Sequence, residues 1–433
     1  MYRKVGLALA AAAMYATIPA VAAPLTPVEQ RIVAEVKARS ADALGLLERS
    51  VNINSGTQNL KGVREVGQLF RQQFDTLGFA TSWIEMPPAM QRAGHLLAVR
   101  EGRQGKRLLL LGHLDTVYEP GSPGPVWQRE GNRVRGQGVS DMKGGNVIML
   151  EALRALHRAG ALEGTSIAVM LTGDEEEAGH PRSVSRGHMV DLARRSDVAL
   201  GFEGMIADKD GRDSATVGRR ATALFALEVK GRQGHSQGVF GSGGYGAVYE
   251  AARILDGFRQ QVVEPGLTFN PGLILGGTEV AFDEALSRGT AAGKTNVIAN
   301  TVTVKGDLRY LDYGQRDRAH AKMREIVAQS LPGASASITF HDSYPPMAVT
   351  AGNLQLLEAY SKASSDAGLG TIGAVPATAR GAGDIQFVAP HVDSLDGLGA
   401  GGAGAHSPNE TLDLASIETN TIRAALLIYR LTR

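Results

Sequence analysis

Three segments, RLLLLGHLDTV from Arg107, TSIAVMLTG from Thr165 and VALGFEG from Val198, dominate the reading of this chain. Each is a nearly continuous apolar run, and each is too short to be a free-standing apolar helix. Such runs are strands with both faces buried, and helical patterns separate them, as in MKGGNVIMLEALRALHRAG from Met142. Buried strands alternating with amphipathic helices specify an α/β fold: a mixed, mostly parallel sheet covered by helices on both faces. Two further helices are expected ahead of the sheet. One runs through TPVEQRIVAEVKARSADALGLLERSVNI from Thr26 as a single element, and the other is GVREVGQLFRQQFDTLGF.

The texture changes after about residue 217. ATALFALEVKG alternates like a half-covered strand, and a helix, two strands, a second helix and SASITFHD follow. The order β-α-β-β-α-β is that of a ferredoxin-like unit. The reading is therefore one α/β domain in two parts, 24–217 and 341–433, interrupted by an inserted α+β domain at 218–340. A chain of 433 residues is long enough for both. The first residues, 1–23, read as a signal peptide. Arg3 and Lys4 precede a short apolar stretch, and Ala20 and Ala22 form a small-residue cleavage site, so a periplasmic or secreted protein is expected. No later stretch is long and apolar enough for a span, and no stable membrane association is expected after cleavage. Cysteine is absent, and the formal net charge of +1 gives no electrostatic footprint for nucleic acid.

Chemistry gathers where the strands end. LTGDEEEAGH sets Asp174, Glu175, Glu176 and Glu177 side by side directly after a buried strand. Neighbouring like charges about 4 Å apart repel by roughly 1 kcal/mol in water and about 4 kcal/mol near a protein surface, so solvent, a base or a cation must offset them. The other strand ends carry His113, Asp115 and Glu203. Asp141 opens the helix in GVSDMKGG, and the Gly-rich loop GLGAGGAGA leads to His406 and Glu410. Taken singly, each has a plain explanation: a loop histidine, a helix cap, a solvated turn. Together, two histidines and several carboxylates in loops at the C-terminal edge of a parallel sheet form a ligand set for divalent cations.

HLDTV, GVSDMKGG, GDEEEAG, GFEG and AHSPNE resemble, in that order, the two-zinc metallopeptidase and amidohydrolase family. That family includes aminoacylase, succinyl-diaminopimelate desuccinylase and the carboxypeptidase G type of glutamate carboxypeptidase. The resemblance covers nearly all of the mature chain and makes the inserted domain a lid and dimerisation domain. It implies two divalent metals per chain, zinc in the first place with cobalt or manganese as alternatives, bridged by Asp141 and a water or hydroxide. His113 and Glu203 would complete one metal, and Glu176 and His406 the other. Glu175 would be the general base of amide hydrolysis, and Asp115 would orient His113. In the lid, His235 would reach the site of the partner subunit in a homodimer, and Asn296 and Arg309 match positions that hold substrate carboxylates or carbonyls. Arg309 has an alternative as an ion pair with Asp307 or Asp312. The expected substrate is a small peptide, cleaved as by a carboxypeptidase next to a free carboxylate, or alternatively an N-acyl amino acid.

One feature departs from the glutamate-specific members. They carry a further arginine where the lid returns to the catalytic domain, and SITFHDSYPPMAV has none. Arg380 in TARGAGD is a candidate substitute, as are Arg219 and Arg220 at the lid hinge. Two other readings compete. GHSQG at 234–238 fits the G-x-S-x-G pattern of a serine nucleophile at Ser236, with Asp384 and His406 downstream, although no helix follows at once as that motif requires. The other is a periplasmic peptide-binding protein that keeps the fold without catalysis.

Overall fold

The computed structural model describes residues 24–433 apart from 123, 125 and 285. The expected signal segment lies outside the described residues. Among the described residues no helix is long and apolar enough to cross a membrane.

The larger body is built on a six-stranded sheet. Its spatial order is Ala80–Ile84, His95–Arg100, Thr165–Thr172, Gln104–His113, Val198–Gly201 and Ser394–Leu395. The last four run parallel, and the first two pair antiparallel with their neighbours. The leucine run shows why the sheet needs helices on both sides. Leu108 and Leu110 pack into the core beneath the helix Gly144–Arg158, whereas Leu109 and Leu111 face Met189, Ala193, Ile385 and Val388 on the other side. Side chains alternate across a strand, so an unbroken apolar run feeds two cores at once. The helix Gly144–Arg158 is buried over most of its length and lies against the C-terminal helix Leu414–Leu431.

The single helix expected from Thr26 is two, Pro27–Ala38 and Ser40–Val51. Arg39 leaves helical geometry at φ −115° and ψ 7°, and its guanidinium pairs with Asp42 and Glu151. The break lets Ile32 and Val36 on one segment, and Leu46, Leu47 and Val51 on the next, all face the same core.

Between residues 221 and 344 the chain forms Ala221–Gly231, the helix Gly246–Gln261, Thr268–Gly277, Thr301–Tyr310, the helix Tyr313–Ala328 and Ala334–Tyr344. These strands make an antiparallel sheet in which Ala221–Gly231 and Thr301–Tyr310 are central. A hairpin, Glu279–Asp283 with Arg288–Ala292, projects between two of them. Ala221, Ala223, Phe225, Leu227 and Val229 are buried under the two helices, while Leu224 on the opposite face is 55% exposed. The sheet is thus covered on one face only. Where the chain enters and leaves this lid, Arg219 and Met347 exchange both backbone hydrogen bonds, at 3.0 and 3.1 Å.

Candidate active site

Each chemically active side chain sits where an element ends. His113 is the last residue of its strand, in register with Thr172. Asp141 lies in the tight turn Val139–Lys143 ahead of the buried helix, not as that helix's cap, and its peptide to Met142 is cis. Glu175 and Glu176 follow the strand Thr165–Thr172, Glu203 follows Val198–Gly201, and His406 lies in the Gly-rich loop with φ +62°. Folding brings them together. His113 Nε2 is 3.3 Å from Asp141 Oδ1 and 3.6 Å from Glu203 Oε1. His406 Nε2 is 3.0 Å from Asp141 Oδ2 and 3.1 Å from Glu176 Oε2. Asp141 therefore stands between two histidines, each of which also faces a glutamate.

The donors suit cations. His113 Nδ1–H donates to the Asp115 carbonyl at 3.0 Å, which leaves the Nε2 lone pair for a ligand. Ligand atoms of His113, Asp141 and Glu176 lie within 4.8 Å of one another. Glu176 Oε1 is buried with no hydrogen-bond partner, a costly condition for a carboxylate oxygen unless a ligand meets it. Without a counter-charge the acids hold each other's protons. Burial and then Asp141 push Glu203 up to about 8. Burial is also the first cause raising Glu176 and, much further, Glu175, which the charges of Asp384, Glu203 and Glu176 also push upward. The facing carboxylates Asp141 and Glu176 lift His406 to about 11. Burial works against protonation of His113, but Asp115, Asp141, Glu203 and Glu175 raise it well above its ordinary value. A nest of this kind fits divalent cations.

The four neighbouring acids have four separate environments. Asp174 is fully buried, 2.5 Å from Arg186 Nη1, with Ser185 and Gly179 also donating to it. Arg186 also reaches Asp384 at 2.6 Å, and Thr172 donates to the same carboxylate. Glu175 and Glu176 turn inward, while exposed Glu177 meets Arg92 and Gln58. Asp115 fixes this turn. Its carboxylate accepts from the backbone N–H groups of Glu175 and Glu176 and from Thr57 Oγ1, and one oxygen lies 3.4 Å from His113 Nδ1.

Other expectations resolve differently. Glu410 stands outside the cluster around Asp141. It is buried and accepts from the N–H groups of Gly138, Ser140 and Asp141 and from the Ser140 hydroxyl, so it shapes the Asp141 turn. Arg219 is no free substrate ligand, because its buried guanidinium grips Asp396, whose other oxygen accepts from Glu203 N. Arg220 donates to Gly266 and Thr268, and Arg309 pairs with Asp307 at 3.1 Å. Arg380 stays at the site. One nitrogen donates to Gly204 O, Nε is buried and unpartnered, and burial and then Arg219 lower its pKa. His235 and Asn296 are exposed on the lid and adjacent, with Ser236 N donating to Asn296 O. Among the described residues no hydrogen bond or ion pair joins either to the cluster. Ser236 opens a three-residue turn and the next helix begins at Gly246, while His406 and Asp384 are committed to the partners above. A serine triad is not assembled. Sequence reasoning missed Arg186, Asp384 as its partner, Asp396 and Thr57, since each acts through a residue distant in the chain.

A family model described as peptidase family M20/M25/M40 matches residues 109–430. The chain is 26% identical over 388 residues to carboxypeptidase G2 of Pseudomonas sp. (strain RS-16), covering 89% of this chain and 88% of that one. It is 26% identical over 354 residues to succinyl-diaminopimelate desuccinylase of Xylella fastidiosa (strain 9a5c), covering 76% and 85%. The fold is similar to that of aminopeptidase PepT from Bacillus cereus, with a TM-score of 0.69, 19% identity, and 94% and 99% of the two chains covered. Matched over most of its length and carrying the ligand cluster at its strand ends, the chain belongs to peptidase family M20/M25/M40, a family of metal-dependent peptidases and amidohydrolases.

Proposed function

We propose that this protein is a two-metal exopeptidase of carboxypeptidase type that hydrolyses an amide bond next to a free carboxylate. N-acyl amino acid hydrolysis by the same chemistry is the second reading, favoured by the likeness to a desuccinylase. The observation that carries the proposal is Asp141 set between His113 with Glu203 and His406 with Glu176. Those five residues would hold two divalent cations, zinc in the first place. When bound, such a pair polarises an amide carbonyl and acidifies a water. Glu175 takes the proton of the attacking water and returns it to the leaving nitrogen. Asp115 holds the base and a ligand in place through their backbone N–H groups.

Arg380 is the group proposed to bind the substrate carboxylate. Its unpartnered buried Nε lies close enough to Glu203 and Asp141 to feel their charges, and guanidinium suits a carboxylate. His235, exposed on the lid, is proposed to serve the site of a second chain in a homodimer, and export through residues 1–23 would place the enzyme in the periplasm or outside the cell.

The test is metal analysis and hydrolysis of a panel of dipeptides and N-acyl amino acids on one preparation. About two metals per chain are expected, with activity lost on chelation and restored by zinc. Glu175→Gln should keep its metal and lose about 10²–10⁴-fold in kcat. Full activity without metal, or in that variant, would refute the mechanism.

A further inference from the structure

The two histidines of the cluster are held in different ways. His113 ends a strand, is buried, and donates through Nδ1 to the Asp115 carbonyl. His406 stands in GLGAGGAGAHSPN, 397–409, a stretch with five glycines and no large apolar side chain after Leu398. Its side chain is 56% exposed, and its φ of +62° is a left-handed conformation that a residue with a side chain adopts only at a cost. A glycine-rich backbone has many conformations open to it. Something outside the loop must therefore favour the one in which His406 Nε2 meets Asp141 and Glu176.

The bonds within the loop do not supply it. Ser407 N and Oγ both donate to Gly404 O, at 3.1 and 2.7 Å, Asn409 N donates to Ser407 Oγ, and Glu410 N donates to Ser407 O. They close the turn on itself and leave its place over the site open. Among the described residues, and apart from the contacts of the His406 ring, one hydrogen bond reaches 404–409 from a distant part of the chain. Tyr118 Oη donates to Ser407 O at 2.7 Å. Tyr118 is itself well fixed. It is 5% exposed, its N–H donates to Thr116 Oγ1, and its carbonyl accepts from Asn54 Nδ2. Burial and then the charge of Glu410 push its pKa up, so the hydroxyl keeps its proton and remains a donor. Tyr118 lies three residues beyond Asp115 on the segment that also carries His113. Its hydroxyl thus joins that segment to the His406 loop.

We propose that Tyr118 is a positioning residue whose hydroxyl clamps the His406 loop, and so sets how tightly a cation is held between His406, Glu176 and Asp141 without changing the position at His113 and Glu203. The proposal rests on the two-metal reading above. Tyr118→Phe keeps the buried ring and removes only the donor. Zinc is titrated against a chromophoric chelator in the wild type, Tyr118→Phe, His406→Ala and the double variant. Tyr118→Phe should weaken one of the two zinc constants by about 10–100-fold and leave the other unchanged. The double variant should bind no more weakly than His406→Ala alone, because the clamp acts through that residue. Two constants weakened alike, neither weakened, or a double variant weaker than His406→Ala overturns the proposal. Hydrogen exchange on the metal-free wild type and Tyr118→Phe tests the clamp without zinc. The amides of 404–409 should exchange about tenfold faster in the variant, with those of 108–116 unaltered. Equal exchange overturns the clamp. A wild type that binds no zinc would count against the hydrolase reading, and the exchange comparison then decides the clamp alone.

Discussion

Arg186 explains how a chain tolerates an acid beside three others. Its guanidinium closes two buried carboxylates at once, Asp174 and Asp384, and their charges hold it above its ordinary pKa against the cost of burial. Arg186→Met would strand both acids in the core. A destabilisation of about 3–5 kcal/mol is expected from urea unfolding, since removal of one partner leaves uncompensated buried charge. Glu177→Gln, which changes an exposed carboxylate that meets Arg92 and Gln58, should cost less than about 1 kcal/mol in the same measurement. Glu410 is the second residue of this kind, for it fixes the backbone that presents Asp141 through three N–H groups. Glu410→Ala removes the acceptor of three N–H groups. A loss of about 10–100-fold in zinc affinity is expected from competition with a chromophoric chelator, the scale typical of residues that support a ligand.

At the level of elements, the fold was legible wherever one residue period ran without interruption. RLLLLGH announces a strand buried on both faces and the structure supplies two cores for it; ATALFALEVKG announces one covered face and has one. The cluster His113, Asp141, Glu176, Glu203 and His406 was legible for a related reason, because strand ends are where a parallel sheet exposes its chemistry. The break at Arg39 was not, since it arises from the fit of two helices to one core and not from a proline or glycine. Nor was the bulge that turns Tyr344 toward Glu175, which depends on a pairing between strands far apart in sequence. Close packing between elements is similarly invisible until the backbone is placed. A Cβ on Gly145 would lie 1.9 Å from the Phe202 carbonyl oxygen, so the helix behind Asp141 touches the strand end that carries Glu203. Gly145→Ala should separate the two. A stability loss of about 1–3 kcal/mol by urea unfolding, together with fewer than two metals retained after dialysis, is the expected outcome.

The whole molecule binds its layers through buried polar contacts that carry a pH dependence, and His95 is the clearest case outside the metal cluster. It opens a strand of the main sheet and is completely buried. Its Nε2–H donates to Ser185 O at 2.9 Å and its Nδ1 accepts from Gly173 N at 3.2 Å, so the neutral ring is satisfied on both sides. A proton on Nδ1 would abolish the second bond. Burial lowers the pKa below its ordinary 6.5, against a pull from Asp174 and with a further push from Arg186. The sign follows from linkage. The unfolded chain takes up a proton near pH 6.5 and the folded chain resists it, so the stability tied to neutral His95 is complete above that pH and is lost as pH falls from there toward the folded value. His95→Gln keeps a polar side chain without the titration. Unfolding free energies of the wild type measured downward from pH 7.5 should fall relative to this variant below about pH 6.5, by at most about 1.4 kcal/mol per pH unit. The comparison cancels the cluster around Asp141, whose groups are the same in both proteins. Parallel curves would show that His95 takes up its proton as readily in the folded chain as in the unfolded one, and that the packing of the Gly173 turn, from which Glu175 and Glu176 project, does not depend on a neutral ring.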